Sequence, residues 1–392
     1  MKNIQTIAKN CAISTGIAIS MILFLEASYK IARFTRARIR SPNINEIYRD
    51  KFIAFDKKVS LRDLKAMKSE VGDHLMYRPW IQIGNYDHEG KFSEVVNGSR
   101  VVKDSELLKD CVSKKQIWMF GGSTTYGIGV PYSENIPSYL QEILNKNNTC
   151  LKVVNYGVPF HYSKQETINF IINLLDNENP PLFAIFLDGL NDFLQPGSTL
   201  RGEPYFTPLL RNIVFKGQNR SGKRNSNFKK LIDLEVINFL QRKLFKYTIS
   251  NLPQYNNYEL PNNYNEENAV RKISESFIKN TISLGKICEA YSVKCFRFLQ
   301  PVAAVEYTPP SNDALTQWVQ DEKSTSRFKI GYSSIRNSTN ERIRGISLID
   351  ISKLFKNYSG IPYIDFGHYA PRANKLIAES IYFNIAPVIN HN

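Results

Sequence analysis

The sequence predicts an α/β protein: a three-layer α/β/α sandwich whose sheet is mostly parallel, with a hydrophobic helix at its amino terminus. Three observations predict the sandwich. Short, largely apolar runs recur at residues 116–120, 151–154, 182–187 and 294–299, and read as strands. Between them lie stretches of helical period. Ile136, Tyr139, Leu140, Ile143 and Leu144 form one face, and Val270, Ile273, Phe277, Leu284 and Cys288 another. The run Leu182-Phe183-Ala184-Ile185-Phe186-Leu187 has no polar residue, as a parallel strand covered on both faces should. Strands alternating with helices imply a parallel sheet covered on both sides.

In chain order, residues 11–25 carry no charge. The run is short of the ~20 apolar residues a spanning helix needs, but its flanks extend it. No small-x-small cleavage site follows, so an uncleaved single-pass anchor is expected over residues 1–40, together with the basic juxtamembrane residues Lys30, Arg33, Arg36, Arg38 and Arg40. Residues 41–115 read as a lead-in that packs on the main domain. Within it Pro79 holds Arg78 extended, and Asn97-Gly98 signals a turn. Ser163-Lys164-Gln165-Glu166 reads as a capping box opening a helix that continues through Ile168, Ile171, Ile172 and Leu175. Residues from about 195 to 265 break the rhythm and read as an insertion in a main domain of residues 116–392. A long helix follows from about Glu267 to Tyr291, and a last one begins near Pro371, which suits a first helical position.

The 392 residues, 42% hydrophobic, are enough for one large domain or two ordinary ones. The net charge of +15 is partly clustered: residues 211–246 hold ten basic side chains against Asp233 and Glu235. With only four phenylalanines there to stack on bases, the segment is read as a solvated face, and nucleic acid is set aside as a partner. Five cysteines show neither a CxxC pair nor zinc spacing. Buried free thiols are the ordinary expectation, with a Cys111–Cys150 bridge left open. The histidines show no metal-ligand spacing, and Gly127-Ile128-Gly129 lacks the remaining residues of a P-loop or a dinucleotide fingerprint, so no metal or cofactor is expected.

Polar residues gather just past the strand ends. Ser123 follows the first strand in Gly121-Gly122-Ser123-Thr124-Thr125, Gly157 the second and Asn191 the third, while Asp365 and His368 stand before the last helix. In an open parallel sheet these loops share one edge. Acyl transfer needs a nucleophile, a base, a group to orient the base, and oxyanion donors. Each role has a candidate. His161 is the nearest rival base, but no acidic residue lies close to it in sequence.

Together these four blocks resemble the SGNH, or GDSL-type, hydrolase superfamily over roughly residues 115–385, with Gly122 where that family has Asp. The resemblance implies an SGNH hydrolase-like, flavodoxin-like fold. It also implies a Ser123 nucleophile, a His368 base, an Asp365 orienter, and an oxyanion hole of the Ser123 and Gly157 N–H groups and the Asn191 side chain. The implied activity is cleavage of an O-acyl ester of carbohydrate or lipid through an acyl-enzyme. The alternatives are an O-acyltransferase using the same residues, or an inactive membrane-associated binding protein. The basic residues after the apolar run place the domain on the cytoplasmic side by the positive-inside rule. The family's association with envelope chemistry points outward, and an extracytoplasmic domain is the expectation adopted.

Overall fold

The computed structural model describes residues 74–104, 111, 115–194, 265–309, 319–338 and 343–389, with isolated positions between 14 and 70. The chain first forms two hairpins, β1 (Leu75–Arg78) with β2 (Gln82–Asn85), and β3 (Val95–Val96) with β4 (Ser99–Arg100). Asn97 and Gly98 both take positive φ, 52° and 74°, and close the second hairpin where the sequence signals a turn.

Five parallel strands follow: β5 (Lys115–Gly121), β6 (Leu151–Asn155), β7 (Phe183–Asp188), β8 (Lys294–Leu299) and β9 (Ile346–Asp350). The seven-stranded sheet runs β3-β4-β6-β5-β7-β8-β9. The β4–β6 contact is antiparallel, through Arg100 opposite Asn155. β5 is therefore central, and β6 and β7 flank it on either side. That is a topological switch point, where loops from neighbouring strands diverge and leave a crevice.

Side-chain alternation on β5 builds both cores. Ile117 and Met119 face Leu140 and Leu144 of helix Ile136–Lys146 and Ile377 and Ile381 of the last helix, Pro371–Ile389. Trp118 and Phe120 face Phe170 and Leu174 of helix Ser163–Asp176, and Leu284 of helix Glu266–Ala290. Each such side chain, fully withdrawn from water, contributes about 1.5–3 kcal/mol.

The helix Ile136–Lys146 follows a 3-10 turn, Tyr132–Glu134, and the Asn135 side chain caps it by accepting from the Ser138 N–H at 2.9 Å. The next helix differs from the sequence reading at its start. The helix at residue 163 is capped from Tyr162. There Gln165 Oε1 accepts from the Tyr162 N–H at 3.4 Å, while Ser163 and Glu166 are buried and turn inward. β9 and a helix at Glu322–Ser338 complete the C-terminal half.

Buried free thiols are the wrong description for four cysteines. Cys111 bonds to Cys150, and Cys288 to Cys295. The apolar run 11–25, the basic segment 27–40 and the insertion up to residue 264 lie outside the described residues, isolated positions apart. Among the described residues no helix is long and apolar enough to cross a membrane.

The lead-in is bonded to the sheet's loops. Asn85 Nδ2 donates to the Gly157 carbonyl at 2.9 Å, and Gln165 Nε2 to the Ile81 carbonyl at 3.1 Å.

Candidate active site

β5 ends at Gly121, and the chain turns at once into a single helical turn, Ser123–Tyr126. The turn is held from below by Arg100. That guanidinium is buried, and it donates to the Tyr126 and Gly127 carbonyls at the end of the helical turn and to those of Phe92 and Val130. Burial drives its pKa down to about 10, which still leaves it charged at neutral pH.

The structure brings Ser123, His368 and Asp365 together across 245 residues of chain. Ser123 Oγ lies 2.9 Å from His368 Nε2. His368 Nδ1 lies 2.9 and 2.8 Å from Asp365 Oδ1 and Oδ2. Asp365 Oδ1 also accepts from the Gly367 and His368 N–H groups at 3.0 and 2.9 Å, so a tight turn fixes the carboxylate beside the ring. Burial acts to raise the Asp365 pKa. The adjacent His368 charge and these hydrogen bonds outweigh it and hold the carboxyl well below the usual range. Asp365 is thus an anion, and its contact with Nδ1 leaves Nε2 turned to the Ser123 hydroxyl.

Asn191 sits over the same edge. Its Nδ2 donates to the His161 carbonyl at 2.7 Å. It also occupies the space above Gly122: a Cβ at that position would stand 2.4 Å from Asn191 Nδ2. This explains why glycine suits the position before Ser123 in this chain. The amide has a second N–H, and the Ser123 N–H, in the first turn, has no acceptor within its helix.

Gly157 does not join them. Its N–H donates to Asn155 Oδ1 at 2.9 Å, and a Cβ there would meet the Tyr126 nitrogen at 2.4 Å. It packs behind the Ser123 turn with its donor committed, so the expected third oxyanion donor is absent from this arrangement. Three residues on, Phe160 has φ of 74°, a backbone state that costs a non-glycine residue on the order of 1–2 kcal/mol.

His161 is not a second base. Its ring is buried, and Nε2 lies 2.8 Å from the Ile83 carbonyl. Burial lowers its pKa to about 4.

Beneath the Asn191 loop lies an ionic cluster the sequence reading missed. Asp188 and Arg297 pair at 2.9 Å with both side chains fully buried. Arg297 donates further to Thr281 Oγ1 at 2.6 Å, and Asp192 Oδ1 accepts from Ser163 Oγ at 2.6 Å. Three carboxyls (Asp188, Asp192 and the buried Glu166) share the one guanidinium. Burial, then the Asp188 charge, raise Asp192 to about 7 and Glu166 well above the ordinary range. The signal was there: Arg297 is the one charge within the apolar part of β8, past the exposed Lys294, and a buried charge requires a partner.

No protein-family model matches the chain, and no curated protein matches it in sequence. Solved structures similar to it include esterase EstA from Pseudoalteromonas sp., at 15% identity and TM-score 0.34, covering 70% of this chain and 99% of that one. The acetyl xylan esterase AlAXEase is similar at 14% identity and TM-score 0.37, covering 69% and 99%. A lipolytic protein of the G-D-S-L family from Veillonella parvula is similar at 14% identity and TM-score 0.34, covering 69% and 97%.

Proposed function

We propose that the chain is an SGNH-type serine ester hydrolase. The observation that carries this reading is the continuous line Ser123 Oγ, His368 Nε2, His368 Nδ1, Asp365, with every contact at 2.8–2.9 Å. His368 takes the Ser123 proton as Oγ attacks the ester carbonyl. The tetrahedral oxyanion is met by the Ser123 N–H and the free N–H of Asn191, each donor worth about 2.7–4 kcal/mol. His368 then returns the proton to the departing alkoxide, leaving an acyl-Ser123 ester that an activated water cleaves by the same steps. Asp365 keeps the ring in the right tautomer and balances its transient charge.

The substrate class proposed is an O-acyl ester of a carbohydrate or lipid, following the resemblance of the four blocks. The domain is placed outside the cytoplasm, tethered through residues 1–40. Two disulfides support this, since such bonds persist in oxidising compartments. An alkaline-phosphatase fusion after Arg40 tests the placement: activity is expected, and an inactive fusion with an active cytoplasmic reporter overturns it.

For the chemistry, a short p-nitrophenyl ester should be hydrolysed, and Ser123→Ala should abolish turnover. A fluorophosphonate should label Ser123. Labelling without turnover in water would point to an alcohol acceptor, and absence of labelling would sink the nucleophile assignment.

A further inference from the structure

We infer that Gln300 is the positioning residue that holds the nucleophile turn and the base loop in register, an inference that rests on the reading of Ser123 and His368 above. Gln300 follows the last residue of β8 and is buried, with 3% of its surface exposed. Each of its polar groups but one touches a different part of the site. Its N–H donates to the Asp188 carbonyl at 2.9 Å, at the head of the loop that carries Asn191. Its carbonyl accepts from the Tyr332 hydroxyl at 2.9 Å. Its side-chain Oε1 accepts from Thr124 Oγ1 at 2.8 Å, and Thr124 is the residue after Ser123. The single proton of the Tyr369 hydroxyl is shared between the Pro301 carbonyl, at 2.5 Å, and the same Oε1, at 3.2 Å; Tyr369 is the residue after His368.

One amide oxygen therefore joins the neighbours of the two reacting side chains, from segments 245 residues apart in the chain. Thr124 and Tyr369 are both buried. A shift of the Tyr369 loop by a fraction of the hydrogen-bond length would lengthen the proton path from Ser123. A misplacement of about 1 Å can cost about 100-fold in rate. Gln300 reaches no reacting atom in this arrangement, so its effect is exerted through Thr124 and Tyr369.

The test uses the full chain and p-nitrophenyl acetate. Gln300→Met removes the acceptor at nearly constant volume. It is expected to lower kcat by about tenfold or more with KM within about threefold, and to slow fluorophosphonate labelling of Ser123 in step. The loss should persist well below the melting temperature of the variant, which a merely structural role would not give. Gln300→Glu, which keeps an oxygen acceptor, should recover part of kcat. Thr124→Val should also lower kcat, and the double variant with Gln300→Met should lose no more than Gln300→Met alone, since both act through one contact. Should Gln300→Met not fold, Thr124→Val and Tyr369→Phe carry the cycle, and their losses should be less than multiplicative. Gln300→Met with kcat within twofold of the parent, a loss confined to KM, or fully multiplicative losses would each overturn the inference. If Ser123→Ala retains turnover, the assignment of Ser123 fails and takes this inference with it. If Ser123→Ala is inactive while Gln300→Met is normal, only the role of Gln300 fails.

Discussion

His161 and His368 stand on loops at the same edge of the sheet, yet their environments assign them opposite uses. His368 is partly open, faces Ser123 at 2.9 Å, and is backed by a carboxylate fixed by two backbone N–H groups. His161 is sealed, meets a backbone carbonyl with its ring, and is driven neutral by burial. What His161 offers the site is its own carbonyl, which holds Asn191. A histidine becomes a base through an anionic neighbour and an open nitrogen, while a dry pocket makes it a strut.

Four measurements can break or sharpen this contrast. The largest effect should come from Ser123→Ala or His368→Ala, each lowering kcat for a p-nitrophenyl ester by at least about 1,000-fold without a fall in melting temperature. If His161→Gln instead gave the large loss, the two roles would be reversed. Next, Asp365→Asn should cost about 100- to 10,000-fold in kcat with KM little changed, because an amide cannot balance the imidazolium. Third, Asn191→Ala should cost about 100- to 1,000-fold, the worth of one oxyanion donor. A loss under fivefold would remove Asn191 from the hole.

The smallest effect is on stability, and its sign is the useful part. His161 has a folded pKa near 4 against an ordinary 6.5, so its contribution is present above pH 6.5 and is lost as pH falls towards 4. Asp192 has a folded pKa near 7 against 3.8, so its contribution is present below pH 3.8 and is lost as pH rises towards 7. The two windows overlap and oppose. His161→Gln should leave a melting temperature that falls more steeply as pH rises from 4 to 7, and Asp192→Asn one that falls less or climbs. Each change is on the order of 1–3 kcal/mol across the window. Identical slopes in both variants and the parent would mean that neither group titrates with folding. His161→Gln should keep kcat within about tenfold, since the backbone carbonyl remains.

The central strands and the last helix were legible because burial on both faces leaves an unmistakable apolar run, as at residues 182–187. The meeting of Ser123, Asp365 and His368 was legible because the loops that carry them share one edge of a parallel sheet. Less was readable where one residue serves several partners. Gln300 stands in the sequence between an apolar strand and Pro301, and nothing local marks an amide whose partners are Thr124 and Tyr369. Gly157 misled because a glycine after a strand suits an oxyanion turn and a close backbone approach equally well, and only the packing against Tyr126 separates them. β9 was missed because Ile346, Ser347, Leu348, Ile349 and Asp350 lie on a half-open edge and carry a mixed pattern.

The hairpin Leu75–Asn85 has a bearing on heredity. Asn85 holds the Gly157 carbonyl, and the Ile83 carbonyl lies on His161, whose own carbonyl holds Asn191. The alternating pattern starts at β5, but the catalytic edge is braced by a segment that precedes it by some thirty residues. A recombination event that joined a new leader at residue 115 would keep Ser123, Asp365 and His368 and lose the brace behind Asn191. A piece of this gene that travels between proteins with that brace intact therefore begins ahead of Leu75.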